Sequence, residues 1–157
     1  MAVRNYIREG LQPDGLCVVF GMEYDTPDGD FLVFGPFEYF PAGLGARELL
    51  QAVADAGGTA VAAHPFRRSR PVSEFVISEG LCGIVETRNG RNTFDENLLA
   101  EAWLGRYAVA ACSGSDAHTL AELGCVATRF ESPVTSRADL IRVLNARRAS
   151  AQSASAA

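Results

Sequence analysis

The sequence predicts an α/β fold in which helices alternate with mostly parallel strands. Short apolar or alanine-rich runs, typical of buried strands, alternate with segments of helical periodicity. The chain has 157 residues, of which 48% are hydrophobic and 21% are charged, as in an ordinary globular domain. Its two histidines, His64 and His118, each follow an apolar run. Because parallel sheets bind ligands at the carboxyl ends of their strands, these histidines mark the candidate site.

The first two predicted strands are the apolar runs at 16–20 and 31–34. Turn-forming residues at 26–30 separate them, so the two runs either pair as a hairpin or lie on neighbouring strands. Both arrangements place Glu23 near a strand end.

The next two elements are predicted to be a helix and a strand. Apolar residues recur at helical spacing over 46–56, and Gly57 ends the segment as a C-terminal cap would. The alanine-rich run at 59–63 is predicted to be a strand that leads into His64. Pro65 is expected to hold that histidine in an extended conformation.

The later elements follow from the same two patterns. Thr93 and Glu96 form a capping box that opens a helix reaching residue 104. The remaining predicted elements are strands at 81–86, 107–112 and 125–130, a short helical stretch at 120–123 and a helix at 137–148. The tail at 149–157 contains only Ala, Ser and Gln, so we expect one domain over 1–148 followed by a disordered tail.

Composition also bears on partners and compartment. The formal net charge of −5 argues against binding to a nucleic-acid backbone, which needs many basic residues, but leaves a small phosphorylated substrate open. No signal peptide and no apolar stretch of about 18 residues is present, so we expect a cytoplasmic protein without membrane association. The four cysteines form no Cys-x-x-Cys pair and are expected to be free thiols.

Metal-binding side chains follow several of the predicted strands. They are Glu23, His64, Glu86 with Asn89, and Asp116 with His118. Imidazoles and carboxylates that converge on one edge suit a divalent ion such as Zn²⁺, Mn²⁺ or Fe²⁺. In an extended segment residues i and i+2 point the same way, so Asp116 and His118 are expected to face one metal cluster.

Arginines follow two of these segments. Arg67, Arg68 and Arg70 come soon after His64, and Arg88 follows Glu86. Guanidinium groups suit phosphate oxygens, so Arg67, Arg68 and Arg88 are candidate phosphate-binding residues. The alternative is that these arginines are solvated loop residues.

Five segments together resemble the later motifs of the PHP family, named for polymerase and histidinol phosphatase. The segments are Gly21-Met-Glu23-Tyr-Asp-Thr26, Asp30-Phe-Leu-Val-Phe-Gly35, Ala63-His64-Pro65, Gly83-Ile-Val-Glu86-Thr-Arg-Asn89 and Gly114-Ser-Asp116-Ala-His118. The resemblance implies a distorted barrel of seven strands, (β/α)7. It also implies two or three metal ions at the carboxyl end of the barrel and the hydrolysis of phosphoesters.

The resemblance also implies a role for each matching residue. Glu23 is similar to the family's bridging carboxylate, His64 to the histidine of the middle motif, and Asp116 and His118 to the closing pair, so all four are implied metal ligands. Glu86 and Asn89 occupy a segment where family members often place a further ligand.

The sequence departs from the family pattern at its amino-terminal end. Family members begin with a His-x-His pair and continue with further histidine motifs, and no histidine precedes Gly21 here. We therefore expect an incomplete barrel whose open edges are covered, curled inward or paired with another chain, and a homo-oligomer is one way to cover them. Four remaining ligands suit one ion better than a full cluster. A misassigned start at Met1 would explain the same pattern.

Two functional hypotheses follow. The first is a metal-dependent phosphoesterase, a hydrolase in which the metal activates water, arginines neutralise the phosphate, and Asp116 or His118 positions the nucleophile. The second is a truncated or degenerate PHP-like domain that keeps the fold and one ion without catalysis. Three other interpretations are weaker: a non-haem iron site, a serine hydrolase without a Gly-x-Ser-x-Gly motif, and histidines that only satisfy local hydrogen bonds.

Overall fold

A computed structural model describes residues 8–155 as two β-sheets with four α-helices. A two-stranded antiparallel sheet contains β1 (Gly10–Leu11) and β2 (Cys17–Val18). The main sheet has five strands in the order β3-β4-β5-β6-β7. Its strands are β3 (Met22–Thr26), β4 (Gly29–Phe34), β5 (Thr59–Ala62), β6 (Ile84–Asn89) and β7 (Ala110–Gly114). β3, β4 and β5 pair antiparallel, whereas β5, β6 and β7 pair parallel.

The tight turn between β3 and β4 settles the arrangement that the sequence left open. Thr26 Oγ1 accepts a hydrogen bond from Asp28 N at 3.0 Å and donates one to Gly29 O at 2.7 Å. Gly29 adopts a φ of +122°, and a Cβ there would lie 2.7 Å from the Val72 backbone. The two strands therefore form a hairpin, because a connection this short does not allow parallel pairing.

The predicted incomplete PHP-type (β/α)7 barrel is wrong. The main sheet is mixed and open, and helices do not alternate with its strands throughout. The hairpin and the antiparallel pairing of β4 with β5 are the physical reason, since a regular β/α barrel requires parallel neighbours joined by helical crossovers. Only the β5-β6-β7 part keeps the predicted parallel arrangement.

Helices cover both faces of the main sheet. α1 (Ala46–Asp55) and α2 (Phe75–Ser78) contribute to the larger buried cluster on one face, with Phe31, Val33 and Val85 of the sheet. α4 (Arg137–Ser155) contributes Leu144 to a second cluster with Val61 and Ile84 on the other face. α3 (Phe94–Ala102) begins at the predicted capping box, in which Thr93 and Glu96 each bind the other's backbone. None of the described helices is long and apolar enough to cross a membrane.

Several boundaries differ from the sequence predictions. Of the run at 16–20 only Cys17–Val18 is a strand, and it lies in the small sheet. The segment at 125–130 is not a strand; instead Thr128 Oγ1 donates to Ser113 O at 2.8 Å and accepts from Ser113 N at 2.7 Å, covering the edge of β7. Where we expected a disordered tail from residue 149, the structure continues α4 to Ser155, consistent with the high helix propensity of alanine. Residues 156–157 lie outside the described part of the chain.

Candidate metal centre

Three side chains at one end of the main sheet form a candidate metal centre, which we call the triad: Glu23, Asp30 and His64. One potential ligand atom from each lies within 4.8 Å of the others. His64 Nε2 is 3.2 Å from Glu23 Oε1 and 3.8 Å from Asp30 Oδ2. His64 and Asp30 are buried, whereas about half of the Glu23 side chain (53%) is exposed. The triad therefore has two enclosed members and one that faces solvent.

His64 is held in a rare backbone conformation immediately after β5. Its φ is +30°, so the predicted extended conformation is wrong. The His64 backbone N donates to Glu86 Oε2 at 2.8 Å, and this buried hydrogen bond fixes the peptide at the strained position. Strained residues of this kind are typical of functional sites, where the surrounding structure maintains them.

The triad fits a divalent metal ion. An imidazole nitrogen with two carboxylates is a ligand set for Zn²⁺, Mn²⁺ or Fe²⁺. His64 Nδ1 is buried and has no hydrogen-bond partner within residues 8–155. The ring nitrogen that faces Glu23 and Asp30 is Nε2, so Nε2 and not Nδ1 would be the metal ligand.

Asp30 is the member of the triad that sequence analysis missed. It is the second residue of the mostly buried strand β4, and burial raises its pKa, partly offset by the positive charge of His64. Backbone pairing of β4 with β5 places Asp30 beside the residue before His64, since Ala63 N donates to Asp30 O at 3.0 Å. In the sequence, the only sign of this ligand was a carboxylate directly before the apolar run at 31–34. Its position beside His64 depends on the antiparallel pairing of β4 with β5, which the sequence did not predict.

A second group of side chains adjoins the triad, and we call it the Asn89 network: Arg67, Glu86, Asn89 and Asp116. Asn89 Nδ2 donates to Glu86 Oε2 at 3.0 Å and to Asp116 Oδ2 at 3.3 Å. Arg67 Nη2 donates to Asn89 Oδ1 at 2.9 Å and to Asp116 Oδ2 at 2.7 Å. The Glu86 carboxylate connects this network to the triad, because it also accepts from the His64 backbone.

A β-bulge in β6 explains which side chains of that strand enter the network. The register with β7 shifts between Glu86 and Arg88, so the usual alternation of faces is interrupted. Glu86 and Asn89, three residues apart, consequently contact each other. Arg88 is exposed and pairs instead with Glu101 of α3 at 2.5 Å, so it does not join the candidate site.

The two carboxylates of the Asn89 network have pKa values shifted in opposite directions. Burial raises the pKa of Glu86, and hydrogen bonds from Asn89 and the His64 backbone only partly offset it. Burial also raises the pKa of Asp116, but hydrogen bonds from Arg67 and Asn89 outweigh it, so the net shift is downward. Asp116 is therefore a stable carboxylate at neutral pH.

His118 does not join the triad. Its ring is 65% exposed, and Nδ1 lies 2.9 Å from the backbone O of Asp116 and 3.7 Å from Asp116 Oδ1. Asp116 has a φ of +51°, so this segment is not extended and the predicted parallel orientation of the two side chains does not form. The structure brings Glu23, His64, Glu86, Asn89 and Asp116 together and leaves His118 at the solvent side.

The arginines after His64 take three different positions. Arg67 lies in the Asn89 network, and Arg70 binds Asp30 and Asp25. Arg68 is exposed, and its backbone N donates to Glu96 Oε1 at 3.0 Å.

Solved structures and a curated relative show what the chain resembles. PsfC from Pseudomonas syringae PB-5123 has the same fold, with a TM-score of 0.69 and 16% identity over 97% of this chain and 75% of PsfC. A Bifidobacterium adolescentis protein, provisionally named a metal-dependent phosphoesterase, has 22% identity over 69% of this chain and 38% of its own, and its TM-score of 0.44 is too low to show a shared fold.

The sequence of the chain is also similar to one curated protein and to one family model. The uncharacterized protein MJ0417 of Methanocaldococcus jannaschii is 31% identical over 118 residues, which cover 70% of this chain. The chain spans half the length of that relative. The family model described as PHP-associated matches residues 94–149, the part that carries Asp116 and His118. Together with the motifs quoted above, this match supports the assignment of the chain to the PHP family.

Proposed function

We propose that this chain is a metal-dependent phosphoesterase that hydrolyses a small phosphorylated substrate. The observation that carries the proposal is the triad, with its ligand atoms within 4.8 Å of one another and His64 Nε2 facing both carboxylates. The PHP-associated match over residues 94–149 and the resemblance of the motifs to the PHP family support the same reaction class. A divalent ion bound by Glu23, Asp30 and His64, for which Mn²⁺, Zn²⁺ and Fe²⁺ are candidates, would act as a Lewis acid and lower the pKa of water.

Arg67 is the proposed phosphate-binding residue. Its contacts with Asn89, Asn92 and Asp116 use Nε and Nη2, which leaves Nη1 for a substrate oxygen. Asn92 Nδ2 is buried beside it and lacks a partner in the part of the chain that the structure describes. Two directed N–H donors at one place suit a phosphate group. Arg68 is exposed and contacts this region through its backbone N, so its side chain has no role in this proposal.

Asp116 and His118 are the proposed groups that handle the proton. The lowered pKa keeps Asp116 ionised, so its carboxylate can accept a hydrogen bond from an attacking water. The exposed His118 ring lies against Asp116, within reach of the solvent side of the site.

Hydrolysis of p-nitrophenyl phosphate and bis-p-nitrophenyl phosphate, measured with added Mn²⁺, Zn²⁺ or Fe²⁺, tests this proposal. We expect metal-dependent turnover that is lost in His64→Ala and Asp116→Ala. Arg88→Ala is the matched control, because its ion pair with Glu101 lies outside the site, and it should retain activity. No turnover across these metals and substrates would count against the proposal.

A second candidate is a PHP-like domain that binds one ion without catalysis. The observation that favours it is that arginines already pair with carboxylates of the site, Arg67 with Asp116 and Arg70 with Asp30. Metal analysis of the purified chain separates the two candidates. Two or more tightly bound ions per chain would contradict the non-catalytic candidate.

A further inference from the structure

The loop after His64 folds back over the triad. Arg67 N donates to His64 O, Arg70 N to Arg67 O and Val72 N to Pro65 O, each at 2.9 Å. These successive turns give the loop a defined path, and they bring the Arg70 side chain onto the end of the β3–β4 hairpin.

Arg70 engages both oxygens of the Asp30 carboxylate. Its Nε lies 3.0 Å from Oδ1 and 2.8 Å from Oδ2, and its Nη2 lies 2.7 Å from Oδ1. Asp30 Oδ2 is also the oxygen that faces His64 Nε2 at 3.8 Å. The guanidinium therefore binds the ligand oxygen that a metal ion in the triad would use.

Arg70 has a second partner on the same hairpin. Its Nη2 also binds Asp25, whose side chain is 71% exposed, and 41% of the Arg70 side chain is exposed as well. Arg70 thus lies between a buried carboxylate that belongs to the triad and a solvated one that does not. Arg70 can therefore keep its ion pair with Asp25 when Asp30 binds a metal ion instead.

We propose that Arg70 competes with the metal ion for Asp30 and sets the metal affinity of the triad. This inference rests on the metal centre of the proposed function. An arginine cannot be deprotonated, so its positive charge stays close to the ion throughout. When an ion binds, Asp30 must release the Arg70 guanidinium. The free energy needed to break the Arg70–Asp30 pair therefore reduces the net free energy of metal binding.

Metal titration of the full chain tests the competition. Binding of Mn²⁺ and Zn²⁺ is measured by calorimetry and by competition with a chromophoric chelator, for wild type, Arg70→Gln and Arg70→Lys. We expect Arg70→Gln to bind the first ion at least about tenfold more tightly than wild type. Arg70→Lys keeps the charge without the planar fork, so we expect a smaller gain. Thermal melting of each variant checks that it is folded.

Two further variants make the result specific to Asp30. Arg68→Gln removes a charge from the same loop and should leave the affinity within about twofold of wild type, because Arg68 contacts the site region through its backbone. In Asp30→Asn, the gain from Arg70→Gln should disappear, since the contested carboxylate is absent. A gain that persists in Asp30→Asn overturns the inference.

The remaining outcomes separate this inference from the proposed function. If wild type binds metal and Arg70→Gln binds it equally or more weakly, the competition is refuted while the metal centre stands. If neither protein binds metal, both are refuted. Metal binding by Arg70→Gln alone would be the strongest support, because it would show that the guanidinium blocks the site.

Discussion

Glu86 and Asp116 accept hydrogen bonds from the same amide, Asn89 Nδ2, but they lie in contrasting regions of the site. Glu86 is on strand β6, is buried and also binds the His64 backbone. Asp116 is on the loop after β7, is partly exposed and is paired with Arg67. Burial raises the pKa of the first carboxyl, and hydrogen bonds hold that of the second low.

The two carboxylates therefore have different roles within the Asn89 network. The buried region maintains the backbone that presents His64, whereas the loop region keeps an ionised carboxylate at the solvent side. Replacements in the buried region should therefore mainly reduce stability. Replacements in the loop region should mainly affect binding and chemistry, with smaller changes in stability.

Loss of Glu86 should produce the largest effect on stability. Glu86→Ala leaves the buried His64 N–H and Asn89 Nδ2 without their acceptor and opens a space in the interior, so we expect a loss of about 3 kcal/mol in the free energy of unfolding. Urea denaturation of the metal-free protein measures it.

Glu101→Ala is the matched control for that replacement. Glu101 forms a largely exposed ion pair with Arg88, so its removal should change the free energy of unfolding by less than about 0.5 kcal/mol. If Glu86→Ala were as mild as this control, Glu86 would not organise the buried region.

Loss of Arg67 should have an intermediate effect. Arg67→Ala removes the donors to Asp116, Asn89 and Asn92, and we expect a loss of about 1.5 kcal/mol. A double-mutant cycle with Asp116→Asn should show a coupling of about 1 kcal/mol, because the two side chains are in direct contact. Denaturation of the four proteins in urea, with Arg68→Ala as a control, gives both values. A coupling energy near zero would show that the contact between Arg67 and Asp116 does not contribute to stability.

The difference between the two regions also explains how much the sequence could predict. The helix at 46–56, the capping box at Thr93 and the strand before His64 were predicted because each depends on local periodicity and end signals. The direction of the sheet strands was not predicted, because it depends on the turn at 26–29 and on the pairing of β4 with β5. Those are non-local contacts, so the barrel prediction was wrong.

The candidate site shows the same division. The segments that carry Glu23, His64 and Asp116 could be identified from the sequence, and the structure brings these residues close together. Asp30 was missed because only strand pairing places it beside His64. Arg88 was predicted to be a site residue because it follows Glu86 in the sequence. A β-bulge between the two residues changes the face to which the later side chains point, and a bulge of this kind cannot be predicted reliably from one sequence.

The pH dependence of stability should distinguish the two carboxylates in metal-free protein. Asp116 has a folded pKa below its ordinary 3.8, so its contribution is fully present above that pH and is lost as the pH falls through the folded value. Glu86 has a folded pKa above its ordinary 4.5, so its contribution is present below 4.5 and is lost as the pH rises through the folded value.

Urea denaturation from pH 3 to 8 in the presence of a chelator measures this difference. Asp116→Asn should flatten the loss of stability on the acid side, and Glu86→Gln should flatten the loss above pH 4.5. The comparison uses slopes against pH, since each replacement also changes the stability level. Equal slopes in wild type and both variants would contradict the opposite pKa shifts.

Loss of His118 should have the smallest effect on stability. Within residues 8–155 the hydrogen-bonding and ion-pair contacts of its exposed ring are with Asp116, so His118→Ala should change the free energy of unfolding by less than about 0.5 kcal/mol. Because the ring does not belong to the triad, the affinity for a first metal ion should also stay within about threefold of wild type. His64→Ala, which removes a triad ligand, should weaken that affinity at least about a hundredfold. Calorimetric titration of both variants with Mn²⁺ measures the contrast, and equal losses would mean that the loop after β7 closes onto the triad when the ion binds.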